Sequence, residues 1–166
     1  MKTITELAII LCLALFAFMS AEAQQQRQKK PAVRGGTKTA VPRTEYLTGA
    51  RPRPLPFSDA VRVGHMLYLS GQIGTDSNLA VVPGGIKAET RQTMENIRAI
   101  LERNGSSLNE VVKCTVMLAD INEWGEVNEI YVTYFARDRL PARSALGANG
   151  LALGARVEIE CWATVK

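Results

Sequence analysis

The 166-residue chain is 46% hydrophobic, 22% charged and 6% aromatic, which suits one globular domain with a core and is too short for two large ones. Its 13 Gly and 7 Pro exclude a collagen-like or wholly low-complexity chain. The +4 charge is uneven: residues 24–54 hold eight basic residues against Glu45, whereas residues 55–166 hold eleven basic and thirteen acidic ones, so a nucleic-acid grip on the folded region is not expected.

Residues 1–23 read as an export signal. Lys2 precedes a charge-free run from Leu7 to Met19, and Ala21-Glu22-Ala23 offers the small residues a signal peptidase accepts. The run is short for the roughly 20 residues that span a bilayer, although Glu6 is out of place in a positive leader and an uncleaved anchor is the alternative. Cleavage after Ala23 leaves a soluble exported chain beginning at Gln24, without Cys12. Cys114 and Cys161 then remain. They can pair in an oxidising compartment, or serve as free, buried small hydrophobes, which their strand patterns favour.

Residues 24–54 mix Gln, Lys, Arg, Thr and Pro without periodicity and read as a flexible basic linker, a solvated spacer or a segment that touches an anionic surface. The domain is expected over 55–166. Val61, Val63 and Met66–Leu69 read as one strand ending at Ser70-Gly71, and Ala80–Val82 as a short strand before Pro83-Gly84-Gly85. Residues 86–104 form an amphipathic helix with Met94, Ile97 and Leu101 on its apolar face, closed by Asn104-Gly105. Val111–Leu118 is a strand with Val112, Cys114, Val116 and Leu118 on one side. A second helix is expected from about Asn122 to Ala136, then strands at Ala142–Leu146 and Arg156–Val165. The order β-β-α-β-α-β-β predicts an α+β fold: a single two-layer domain, with two helices packed on one face of a mixed sheet.

Such a sheet leaves its other face bare. Glu158, Glu160 and Trp162 alternate with Val157, Ile159 and Cys161, and Tyr68 and Met117 are candidates for the same bare face. Carboxylates mixed with Trp and Met suit a subunit contact better than a solvent surface.

Few residues carry recognisable chemistry. No nucleophile elbow, phosphate loop or dinucleotide fingerprint occurs, and His65, the one histidine, stands beside Gly64 as a surface or turn residue. No metal-ligand spacing is present, so neither metal nor cofactor is expected. What remains is Arg143, in Pro141-Ala142-Arg143-Ser144, and Glu158, in Val157-Glu158-Ile159-Glu160. A guanidinium among apolar strand residues is normally paired or holds an anion; pattern alone leaves open whether Arg143 bridges a strand carboxylate or takes a ligand.

From Pro56 to Val165 the chain resembles the RidA (YjgF) family. The likeness rests on Pro56-Phe57-Ser58, the run Val63 to Ile73 ending in Ser70-Gly71-Gln72-Ile73, Thr93 to Ile97, Asp120-Ile121-Asn122 with Val127-Asn128 and Tyr131, and the Arg143 and Glu158 motifs above. The resemblance implies a chorismate-mutase-like fold in a homotrimer with clefts between subunits. It also implies hydrolysis of enamine and imine acids (2-aminoacrylate, 2-aminocrotonate and their imines) to 2-oxo acids and ammonia, without a cofactor. Arg143 would grip the substrate carboxylate, and Glu158 would position the attacking water. Ser70, Gly71 and Asn128 would line the cleft, and the backbone of Ala145 would bind substrate; spacing alone slightly favours a strand-ending turn for Ser70-Gly71 and a helix-surface residue for Asn128. Two departures stand out: Phe57 replaces a frequent tyrosine, and Ala145 a frequent cysteine. The other reading is an exported, non-catalytic module that binds small carboxylates or a protein partner on the same scaffold.

Overall fold

The computed structural model describes residues 41–50 and 54–165. The signal segment, residues 24–40 of the basic linker and Cys12 lie outside the described residues. Seven strands form one mixed sheet: β1 (Thr44–Leu47), β2 (Ala60–Val63), β3 (Met66–Leu69), β4 (Gln72–Ile73), β5 (Val111–Leu118), β6 (Ala142–Gly147) and β7 (Val157–Thr164). Two helices, α1 (Gly85–Arg103) and α2 (Trp124–Tyr131), pack against it. The spatial order is β1-β2-β3-β7-β5-β6, with β4 also on β7. Only β5–β6 is parallel, and α2 lies on the crossover between them.

The helix-facing side is apolar because two periodicities meet there. Met94, Ile97 and Leu101 of α1 and Val127 of α2 are fully buried against Cys114, Val116 and Leu118 of β5 and Val157, Ile159 and Cys161 of β7. The end of α1 is tied by Ser106 N–H to Leu101 O (2.9 Å) and Gly105 N–H to Glu102 O (3.2 Å), a Schellman closure. Both helices thus cover one face, as the pattern predicts.

Several expectations need correction. The apolar stretch from Val61 to Leu69 is a hairpin, with Gly64-His65 as a two-residue turn: Gly64 takes φ +59 while His65 keeps negative φ, and the tight turn favours glycine there. Residues 44–47, inside the stretch read as a flexible linker, form β1 paired to β2, because alternating Glu45 and Leu47 can lie along that hairpin. Ala80–Val82 is no strand and contributes one isolated bridge, Thr75 to Val81. Val112 is exposed: the β5–β7 register shifts between Val111 and Lys113, so Val111 turns inward instead. The second helix is shorter than expected, flanked by 3-10 turns at Ile121–Glu123 and Val132–Tyr134.

Cys114 and Cys161 form a disulfide, overturning the free-thiol reading. They stand directly opposite in the β5–β7 ladder with Cα atoms 4.2 Å apart, both fully buried. Close approach in register, which single-strand patterning does not reveal, is what lets them bond.

Candidate functional site

Arg143 lies on the edge strand β6, in register with Cys114, and so on the helix-covered face. Its guanidinium carbon stands 4.8 Å from the ring centre of Tyr131 and 5.8 Å from that of Trp124, both on α2. Among the described residues no carboxylate pairs with it. The acids on and just before α2 are engaged elsewhere: Glu129 Oε2 accepts from Lys87 Nζ at 2.7 Å, Glu126 lies 4.0 Å from the same amine, and Glu123, in the 3-10 turn ahead of α2, pairs with Arg156. Of the two readings for Arg143, the strand-carboxylate bridge is therefore not the one realised.

A cleft of about 550 Å3 opens at this point, lined by Asn128, Tyr131, Pro141 and Arg143 among others. Two buried polar atoms of α2, Asn128 Oδ1 and the Tyr131 hydroxyl oxygen, have no hydrogen-bond partner among the described residues. Burial pushes the Tyr131 hydroxyl up to about 12, partly offset by the Arg143 charge, so it stays a neutral phenol at physiological pH. The sheet edge adds backbone groups. Ala148 N–H donates to Leu118 O (2.7 Å), and with parallel pairing in this register the alternation turns the N–H and C=O of Arg143 and Ala145 outward, away from β5.

Glu158 belongs to a second cluster. It pairs in register with Met117 on one side and Ile73 on the other, on the open face of the sheet. Gly71 lies directly beside it: a Cβ there would meet the Glu158 carboxylate, which would have to move aside. Burial, and secondarily the charge of Glu160, raises the Glu158 carboxyl above its ordinary value. The Ser70 hydroxyl donates to Ser58 O (2.7 Å), and the Gln72 amide donates to the carbonyls of Ser70 (3.0 Å) and Gly71 (3.1 Å), fixing the step between β3 and β4. Half-exposed Phe57 and Gly71 share the wall of another cleft, about 640 Å3, which runs beside β4 and α1.

The expected site residues thus fall into two groups. Arg143, Asn128 and the Ala145 backbone gather at the β6 edge and α2; Glu158, Gly71, Ser70 and Phe57 gather where β3 passes into β4. One protomer does not bring the groups together. The sequence gives Trp124 no functional mark and places Tyr131 only in the family motif. Their seven-residue separation, two helical turns on one face, was the available signal.

A profile of the Endoribonuclease L-PSP family, which includes RidA, matches residues 48–165. The chain belongs to this family. The RidA-family match takes in both groups of site residues and every strand except β1. Mouse 2-iminobutanoate/2-iminopropanoate deaminase is 50% identical over 106 residues, covering 63% of this chain and 78% of the mouse protein. The human protein of the same name is 46% identical over 106 residues, covering 63% and 77%. Among solved RidA-family structures, yeast Mmf1 superposes with a TM-score of 0.70 at 32% identity, covering 75% of this chain and 100% of the yeast chain. RidA from an Antarctic Psychrobacter gives 0.64 at 36% identity, covering 76% and 99%.

Proposed function

We propose that the protein hydrolyses reactive 2-imino acids and their enamine tautomers, those of 2-aminoacrylate and 2-aminocrotonate, to 2-oxo acids and ammonia. The observation that carries this reading is the Arg143 guanidinium, stacked on rings and paired with no carboxylate among the described residues. Its planar fork suits a carboxylate held by two charge-assisted hydrogen bonds, which fixes the neighbouring C=N carbon in place. A protonated imine is already electrophilic. Water adds to its carbon as a proton passes from that water to Glu158; Glu158 returns the proton to the carbinolamine nitrogen, and the C–N bond breaks to release ammonia as the C=O bond forms and the hydroxyl proton passes to solvent. A carboxyl whose affinity for protons is raised by burial suits that exchange. The names of the mouse and human relatives support the same chemistry.

The two groups of residues further suggest a homotrimer whose clefts join Arg143 of one protomer to Glu158 of the next. The open face supports it: Tyr68 and Trp162 stack edge-to-face at 5.3 Å, and Trp162 and Leu146 stay exposed in the single chain. Light scattering that returns a single-chain mass would remove this part of the reading. Export is also proposed, on the charge-free run Leu7 to Met19 and on the Cys114–Cys161 disulfide, a bond typical of oxidising compartments. Sequencing of the mature N-terminus is expected to begin at Gln24.

The deciding assay measures 2-oxo acid release from freshly generated 2-aminocrotonate, with Arg143→Ala and Glu158→Ala as controls. Release no faster than buffer, or an Arg143→Ala variant as fast as wild type, overturns the assignment. Phe57 favours keeping a second reading, a carboxylate-binding module without turnover, because it brings no hydroxyl to the water; calorimetric binding of 2-oxobutanoate without catalysis would select it. Ribonuclease chemistry is not proposed, since residues 55–166 carry thirteen acidic against eleven basic residues.

A further inference from the structure

The geometry points to Trp124 and Tyr131 as positioning residues that hold the Arg143 guanidinium in its carboxylate-binding orientation. The inference rests on Arg143 being the anion grip proposed above. An arginine side chain has many rotamers, and one with no ion partner normally explores them in solvent. Here the guanidinium carbon lies 4.8 Å from one ring centre and 5.8 Å from another, both distances at which a cation is attracted to the face of an aromatic ring. The two rings are seven residues apart on α2, so the helix presents both to β6 at once. Tyr131 is 4% exposed, and α2 packs it into the core beside Phe135, with ring centres 4.9 Å apart; it is the fixed half of the support. Trp124, 46% exposed, is the outer half.

A ring face differs from a carboxylate in what it leaves free. A paired carboxylate would occupy the N–H groups of the fork, whereas attraction to a π face leaves the in-plane N–H donors available. Trp124 and Tyr131 therefore fix the orientation without competing with the ligand. The consequence falls on binding of the acid and its alignment, with proton transfer at Glu158 unaffected.

The test uses 2-oxobutanoate as the probe, titrated by calorimetry into the full-length protein, with thermal unfolding recorded in parallel. Trp124→Leu keeps an apolar side chain and removes the π face, at a position exposed enough for the fold to tolerate it. It is expected to raise the Kd by roughly 3- to 30-fold with an unchanged unfolding midpoint, and to raise KM with little change in kcat. Trp124→Phe is expected to restore most of the affinity. An unchanged Kd in Trp124→Leu overturns the proposal, as does an equal loss in Trp124→Leu and Trp124→Phe. If Arg143→Ala binds the probe as well as wild type, both this inference and the anion grip fall. If the binding pattern holds but no imine is hydrolysed, the deaminase reading fails and the positioning role stands.

Discussion

Arg143 and Glu158 sit on one sheet with their side chains on opposite faces, Arg143 in register with Cys114 beneath the helices and Glu158 in register with Met117 on the open side. No rotamer change carries either through the sheet. The proposed function therefore draws the two from neighbouring protomers. Coexpression of Arg143→Ala and Glu158→Ala chains tests this directly. In a closed ring with random mixing, each cleft inherits an intact arginine from one neighbour and an intact glutamate from the other in about a quarter of cases. Activity near a quarter of wild type is expected from two parents that are each inactive; a mixture no better than its parents would sink the shared-cleft arrangement.

Gly71 leaves the space that the Glu158 carboxylate occupies. Because a methyl group would displace the carboxylate, Gly71→Ala is expected to lower kcat by about 10- to 100-fold, the scale of an ångström-sized misplacement of a reacting group. Affinity for 2-oxobutanoate, governed by the other group of residues, should be largely kept. Steady-state kinetics beside calorimetry separates the two; a parallel loss of binding would mean that the step from β3 to β4 also contacts the substrate.

The raised Glu158 carboxyl gives a pH dependence of known sign. In the proposed mechanism ionised Glu158 accepts the proton from water, so the rate is expected to climb with pH through a carboxyl pKa that burial has raised. Glu160→Gln removes the secondary cause of the shift and moves that rising limb to lower pH, leaving burial as the remaining cause. Stability runs the other way. A carboxyl that holds its proton more tightly when folded stabilises fully below its unfolded pKa, and that stabilisation is lost as pH rises through the folded one. Glu158→Gln should thus melt higher relative to wild type at neutral pH than at acidic pH, and matched pH–rate and pH–melting profiles check both signs.

Much of this was legible in the chain itself, and the exceptions share a cause. The helix-face pattern of Met94, Ile97 and Leu101 and the alternation of Val157 to Trp162 each follow from one element's own period, and both appear as expected. Pairing is not written in any single element. The hairpin turn at Gly64-His65, strand β1 and the inward turn of Val111 depend on what lies alongside, as does the Cys114–Cys161 bond. Arg143 shows the same limit at the site. Its motif marks it as unusual, but the partner of Glu129, which lines the same cleft, is Lys87 on another helix, 42 residues from Glu129 in the chain.

Lys87 is therefore expected to act on the site from a distance. Glu129 shares the cleft of Arg143 but points its charge at Lys87, at 2.7 Å. Both side chains are substantially exposed, so the effect is small and salt-sensitive. Lys87→Met frees Glu129 to compete for the guanidinium and is expected to raise KM about two- to fivefold at low ionic strength. The double variant Lys87→Met/Glu129→Gln should return KM to the wild-type value. A KM that stays raised in the double variant would assign the effect to α1 packing instead.

The disulfide is the remaining feature that sets this sheet apart, and it ties β5 to β7, the strands that carry Met117 and Glu158. It closes a separation of 47 residues, so its removal should lower the unfolding free energy by about 2–4 kcal/mol. Cys114→Ala/Cys161→Ala, compared with wild type in denaturant titrations, measures that loss. Because both sulfur atoms lie under the helices, a reductant should act on the native protein only as fast as the sheet opens, and on the unfolded protein at once. A chain beginning at Gln24 and purified without reductant should show no free thiol even when unfolded. Two titratable thiols in that material would mean the bond does not form in the cell, and the case for an oxidising compartment would then rest on residues 1–23 alone.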